Sequence, residues 1–194
     1  AVLETLIAHP GTWRTVKLLA AYARTLFFAQ DVLDGRAAAL YAQDPETLTG
    51  EPLRELQDNL FWKIIAMVEE RGLPLIVHTG PGIPWSAPSL LVPMARAFPN
   101  LSVVAAHSGM MVLAGEAAVL AAECPNAFLE LSWTAGFLVK RWAADFGARR
   151  LLFGSDHAEN AATELAKVRT AGLSGAETEL VLGGTAAEVF GLGS

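Results

Sequence analysis

Two histidines and an aspartate each follow a short apolar segment of the chain, and their side chains suit a metal site. His78 ends the segment PLIVH, His107 ends LSVVAAH, and Asp156 follows RRLLFGS. Imidazole nitrogens favour transition ions, so two imidazoles and a carboxylate suit zinc, manganese or iron better than calcium or magnesium. These residue types predict a divalent transition metal as the cofactor, with zinc as the first candidate and manganese as the second.

Each of the three residues also has an ordinary structural interpretation. A single histidine at a strand end is often a hydrogen-bonded structural residue, and an aspartate after a strand can cap the next helix. The joint pattern favours a site. His78 and His107 end strands one βα step apart, and Asp156 follows two steps later.

The segments that carry these residues alternate with amphipathic stretches, which is the pattern of βαβ units in a parallel sheet. Their nearly continuous apolar character is typical of strands that are covered on both faces. The predicted strands are 74–78, 101–107, 127–132 and 149–155, with Thr15 to Tyr22 as a fifth. The predicted helices are 53–71, 88–98, 113–124, 136–147, 160–171 and 175–190, after an inserted helical excursion that ends near residue 50.

This alternation predicts an α/β fold, a partial TIM-type (βα) barrel of about five parallel strands in a single domain. In such a barrel the carboxyl ends of all strands line one mouth, where His78, His107 and Asp156 would meet. A complete eight-stranded barrel takes about 250 residues. The sequence has 194. We therefore expect either a fragment of a longer protein or a half-barrel that needs a partner.

Five segments resemble, in order, the second half of the amidohydrolase superfamily in its amidohydrolase-2 branch. They are LPLIVHTG, FPNLSVVAAHSG, PNAFLELSW, ARRLLFGSDH and GTAAEVFGL, and the resemblance covers about residues 53 to 192. It implies that the five strands are the fourth to eighth of the family barrel. It also implies that His78 binds the metal. His107 is then a second ligand or a substrate-polarising acid/base residue, and Asp156 binds the metal and accepts the proton of the metal-bound water.

The sequence departs from this family at the first strand. Members carry a His-x-His pair there that supplies two metal ligands, and this sequence contains no such pair. His9, which precedes Pro10, has no histidine two positions away and is not a substitute. The predicted mouth therefore offers at most three ligands from this chain.

Lys17, Trp85 and His157 are the candidate substrate-binding residues. The segment TVKLLAAYAR resembles the fourth strand of members related to the amidohydrolase domain that is fused to a glutamine-synthetase-like domain, which places Lys17 near the mouth; the alternative is a solvent-facing lysine. Trp85 lies in the loop that follows His78, and loops on that side of a barrel form the site. His157 either faces the substrate or lies on the surface, and Trp133 either lines the pocket or packs.

The resemblance implies a metal-dependent hydrolase that acts on a small carboxyl, lactone or amide substrate through metal-activated water. The same branch includes decarboxylases of aromatic or unsaturated acids, and the sequence does not separate the two reactions. A third interpretation is a truncated, non-catalytic half-barrel, because an open sheet exposes two strand edges and apolar surface. We therefore expect a homo-oligomer or association with a complementing chain.

Composition narrows the choice of partners. The net charge is −6 and there is no long Lys or Arg run, so nothing indicates binding to nucleic acid or to an anionic membrane. No apolar run reaches the roughly 18 residues of a membrane span, and the first residues lack the pattern of an export signal. The single cysteine, Cys124, is compatible with a reducing compartment. We expect a cytoplasmic protein with a small-molecule substrate.

Overall fold

The computed structural model describes residues 13–43, 45–81 and 86–193. Its strands form one sheet in which each strand lies beside its predecessor in the chain, and every neighbouring pair is parallel. The strands are β1 (Val16–Leu18), β2 (Leu75–His78), β3 (Val103–Ala106), β4 (Ala127–Glu130) and β5 (Leu151–Leu152). The prediction of five parallel strands in an α/β fold is confirmed.

Helices follow the strands in turn. They are α1 (Asp34–Tyr41), α2 (Gly50–Glu70), α3 (Val92–Ala97), α4 (Ala114–Glu123), α5 (Gly136–Phe146), α6 (Ala161–Thr170), α7 (Gly175–Glu179) and α8 (Thr185–Phe190). The single helix predicted for 175–190 is divided by a π-helical turn over Leu180–Gly184. The helix predicted for 88–98 begins as a 3-10 turn, Pro88–Leu91. Within the described ranges, no helix has the length and apolar character to cross a membrane.

The strands are shorter than the apolar segments predicted. The segment Thr15 to Tyr22 is a strand only over Val16–Leu18, because Ala20–Tyr22 forms a 3-10 turn. Another 3-10 turn, Ala148–Arg150, shortens the last strand at its start. β3, β4 and β5 also end before the predicted ends at 107, 132 and 155, so most of the polar residues predicted at strand ends lie on the turns that leave the strands.

Alternate residues of each strand face opposite sides of the sheet, and this separates the core from the site. Leu75, Val77, Val103, Ala105 and Leu129 are buried in the main hydrophobic core. The intervening positions project from the other face. This face carries Lys17, Ile76, Val104 and Phe128 in register. His78 on β2 and Glu130 on β4 lie on the same face, two residues further along their strands.

Candidate active site

A run of left-handed backbone carries the chain out of β3 and into the site. Residues 107–111 all have positive φ values, including 64° at His107 and 42° at Ser108. Non-glycine residues in this region each cost on the order of 1–2 kcal/mol, so surrounding bonds must hold them there. The backbone N–H of His107 donates to Glu130 Oε2 at 2.7 Å, and the Ser108 hydroxyl donates to the Glu130 carbonyl at 2.7 Å. β4 thus fixes the turn that carries His107.

Asp156 lies at the centre of a group of polar side chains. Trp133 Nε1 donates to Asp156 Oδ2 at 2.9 Å, and His157 Nε2 lies 3.2 Å from the same oxygen. His107 Nε2 lies 3.7 Å from the other oxygen, Oδ1. Trp133 and Asp156 are themselves left-handed, with φ values of 61° and 58°. Two strained turns therefore bring an indole and two imidazoles to one carboxylate.

His78 completes this side of the site. Its Nδ1 is 3.1 Å from the hydroxyl of Tyr22, and the centroids of the two rings are 4.4 Å apart. The ring centroid of His107 lies 4.9 Å from that of His78, with the ring planes at 68°. Both histidines are buried. The predicted convergence of His78, His107 and Asp156 is therefore seen in the structure, while their ligand roles stay a prediction.

The candidate substrate-binding residues have different outcomes. Lys17 is exposed on the site face of β1, and its charge acts on the pKa values of His78, His107 and Asp156. His157 is exposed and contacts Asp156. Trp85 lies outside the described residues. Contact of any of the three with a substrate stays a prediction.

Burial keeps both imidazoles neutral near pH 7. It lowers the pKa of His78 from 6.5 to about 4, and the charges of His107 and Lys17 add to the effect while Asp156 opposes it. Burial also lowers the pKa of His107, again against the attraction of Asp156. Neutral imidazole is the form that binds a metal or accepts a proton.

Asp156 is held as a carboxylate. Burial acts to raise its pKa, but the hydrogen bond from Trp133 and the charges of His107, His157 and Lys17 outweigh burial, so that the pKa lies below the ordinary 3.8. The side chain is 25% exposed, which leaves it accessible to a ligand. The site thus combines an ionised carboxylate with neutral imidazoles.

Glu130, which sequence reasoning missed, holds His107 in place through its backbone N–H and through Ser132. Its Oε1 accepts the backbone N–H of Ser132 at 2.8 Å, and its Oε2 accepts the Ser132 hydroxyl at 2.8 Å. Burial raises the pKa of Glu130, against the lowering effect of the backbone N–H groups of His107 and Ser132. A Cβ atom on Gly154 would overlap this carboxylate, so glycine leaves the necessary space. The available signal was a charged residue inside the apolar segment AFLELS.

The donor chemistry suits a divalent transition metal, because two neutral imidazoles and a carboxylate are deprotonated ligands at neutral pH. The number of convergent ligands is smaller than such a site needs. Among residues 13–43, 45–81 and 86–193, no group of three or more His, Cys, Asp or Glu side chains is arranged to hold a metal ion. His78, His107 and Asp156 are therefore at most part of a ligand set.

Comparison with known families agrees with this geometry. The family model described as amidohydrolase matches residues 37–192, which include every site residue above except Lys17 and Tyr22. The chain belongs to the amidohydrolase family. The predicted superfamily and branch are confirmed. A search of curated protein sequences finds no match.

Solved structures share the fold of this amidohydrolase chain. A protein from Lactobacillus casei ATCC 334 described as a metal-dependent hydrolase is 20% identical with a TM-score of 0.72, and the match covers 98% of this chain and 57% of that one. An amidohydrolase from Burkholderia multivorans is 18% identical with a TM-score of 0.62, and the match covers 99% of this chain and 70% of that one. The 5-carboxyvanillate decarboxylase from Sphingomonas paucimobilis is 14% identical with a TM-score of 0.59, and the match covers 99% of this chain and 62% of that one.

The chain thus spans little more than half the length of the Lactobacillus protein. These similarities show the fold, and they agree with a partial barrel in which each strand pairs with the next along the chain.

Proposed function

We propose that this chain carries the carboxyl-terminal part of the active site of a metal-dependent hydrolase. The observation that supports the proposal most strongly is the approach of His107 Nε2 to within 3.7 Å of Asp156 Oδ1, with the ring of His78 4.9 Å from that of His107. His78, His107 and Asp156 would bind the metal together with ligands from outside this trio. A longer parent chain, a complementing chain or a second copy of this chain is a source of those ligands.

Zinc is the first candidate for the metal and manganese the second, because both accept mixed imidazole and carboxylate ligands. A bound divalent metal would lower the pKa of its water towards about 7 and polarise a carbonyl group. The residues of the chain have separate tasks. Asp156 is ionised and would accept a proton, and Trp133 keeps its Oδ2 oriented.

The proposed substrate is a small carboxyl, lactone or amide compound. Lys17 is a cation on the site face of the sheet, where it would attract a substrate carboxylate. His157 extends the polar rim beside Asp156. His107 would hold or donate a proton as charge develops on the substrate oxygen.

Decarboxylation of an aromatic acid is the second candidate. Two exposed aromatic side chains support it: the ring of Tyr22, 66% exposed, lies beside that of His78 with the planes tilted by 31°, and Trp133, 44% exposed, donates a hydrogen bond to Asp156. Such rings suit a planar substrate. In this reaction the same polar residues would hold the carboxylate and protonate the carbon that loses it.

The test is an assay of the metal-loaded chain on a panel of lactones, amides and aromatic carboxylic acids. We expect hydrolysis that falls by about 100-fold or more in Asp156→Asn, since loss of a proton acceptor typically costs 10²–10⁴ in rate. Asp145→Asn, which changes an aspartate on the surface of α5, is the matched control and should keep the parent rate. Release of carbon dioxide without hydrolysis would favour the decarboxylase. If the metal-loaded chain catalyses neither reaction, both functions are contradicted for the chain alone.

A further inference from the structure

Three hydrogen-bond donors converge on the Glu130 carboxylate. Its Oε2 accepts the backbone N–H of His107 at 2.7 Å and the hydroxyl of Ser132 at 2.8 Å. Its Oε1 accepts the backbone N–H of Ser132 at 2.8 Å. The side chain is only 15% exposed, so these protein groups take the place of water. Both carboxylate oxygens therefore act as acceptors.

The same serine links Glu130 to the imidazole of His107. Ser132 Oγ lies 2.7 Å from His107 Nδ1, and Ser132 is fully buried. A hydroxyl has one proton and can accept through its lone pairs. Because that proton is donated to Glu130, Ser132 can only accept from the ring. His107 Nδ1 must then carry a hydrogen, and in a neutral imidazole Nε2 is left with a lone pair.

From this chain of bonds we propose that Glu130 is a positioning residue, which acts through Ser132 to fix His107 as the Nδ1–H tautomer with its bare Nε2 directed towards Asp156. The inference deepens the proposed function, because that function gives Nε2 its task. Two acceptors, Nε2 and Asp156 Oδ1, then face each other at 3.7 Å. Such a pair suits a shared cation or a shared proton donor between them.

The backbone supports the same role for Glu130. His107 is left-handed, with φ of 64°, and its N–H bond to Glu130 helps to hold that conformation. One carboxylate therefore sets both the position of the residue and the proton on its ring. A side chain that only filled space would need neither the bond from the His107 N–H nor the bond from the Ser132 hydroxyl.

The tautomer can be measured directly by NMR. The sequence contains four histidines, so protein labelled with [15N]histidine gives a spectrum that His→Gln variants at positions 9, 78 and 157 assign by elimination. In the metal-free protein at neutral pH, we expect a pyrrole-type Nδ1 and a pyridine-type Nε2 for His107. The Nε2–H tautomer in the parent would overturn the proposal, because Ser132 would then donate its proton to His107 Nδ1 and not to Glu130.

Two variants test whether Glu130 and Ser132 cause this state. Ser132→Ala removes the acceptor, and Glu130→Gln places an N–H group where a donor now points. In both variants we expect the His107 nitrogen shifts to move towards a mixture of tautomers. Glu123→Gln, on the exposed surface of α4, is the matched control and should leave them unchanged. Unchanged His107 shifts in either folded site variant would also overturn the proposal. If a variant does not fold, the parent spectrum still decides.

This measurement needs neither substrate nor metal. An inactive chain with the Nδ1–H tautomer would contradict the proposed function and keep the positioning role. An active chain with the Nε2–H tautomer would support the proposed function and contradict the positioning role.

Discussion

His107 Nε2 lies 3.7 Å from Asp156 Oδ1, although the two residues leave strands that are separated in the sheet by β4. The left-handed turn after β3 and the one at Asp156 direct the two side chains towards each other across that strand. A neutral imidazole and an ionised carboxylate at this distance can share a metal or a proton. The following predictions test this arrangement and its supports.

Trp133→Phe should weaken metal binding. The change removes the Nε1–H bond to Asp156 Oδ2 and keeps an aromatic ring in place. Loss of a partner that orients a ligand typically costs 10–100-fold in metal affinity. Titration of the metal-free chain with zinc by calorimetry measures the change. Trp13→Phe, at an exposed tryptophan outside the site, is the control; an equal loss of affinity in both variants would rule out a specific role for Trp133.

Gly154→Ala should destabilise the fold by about 1–3 kcal/mol, which is typical of overpacking. The new methyl group would overlap the buried carboxylate of Glu130 and displace it from Ser132. Urea denaturation measures the free energy of unfolding. Gly115→Ala in α4 is the matched control, because its Cβ meets nothing within 4 Å and alanine favours a helix by roughly 0.5–1 kcal/mol. Equal stability changes in the two variants would contradict the packing at Gly154.

The metal-free chain should lose stability as the pH falls from about 6.5 to about 4. The pKa of His78 is 6.5 in the unfolded chain and about 4 when folded, so the unfolded state binds more protons in this window. Unfolding is therefore favoured by acid, and the full effect is about 3 kcal/mol. Urea midpoints measured with EDTA across this range provide the test. His78→Gln should flatten the dependence, and an unchanged slope would contradict the lowered pKa.

Asp58→Ala should destabilise the chain by about 3–5 kcal/mol, since it leaves a buried charge without its partner. Arg24 NH2 lies 2.5 Å from Asp58 Oδ1, and each side chain is only 10% exposed. This pair fastens the segment after β1, whose Tyr22 contacts His78. The exposed pair of Arg36 and Glu55 provides the control: Glu55→Ala should cost less than about 1 kcal/mol. Thermal or urea unfolding of both variants distinguishes these expectations.

The sequence predicted the parts of the site that depend on periodicity. His78, His107 and Asp156 follow apolar segments, and a parallel sheet brings such ends to one edge. Strand lengths were wrong because apolar character does not distinguish a short strand from an adjoining 3-10 turn, as at Ala20–Tyr22.

Side chains that act through tertiary contacts were harder to predict. Glu130 reaches His107 only because residues 107–111 turn left-handed, and the pattern of apolar residues contains no information on that turn. The apolar pattern predicts Tyr22 in a strand, but it lies on a 3-10 turn that directs its hydroxyl to His78. Both contacts are set by backbone conformation outside the regular elements.

The central claim, that His78, His107 and Asp156 act together on a metal, is tested most directly by calorimetric titration of the metal-free chain with zinc and with manganese. We predict binding of one divalent ion, weakened by at least about 10-fold in His78→Ala and in Asp156→Ala. Asp145→Ala, at the α5 surface, should bind as the parent does. Equal binding by the parent and by both site variants would contradict the claim.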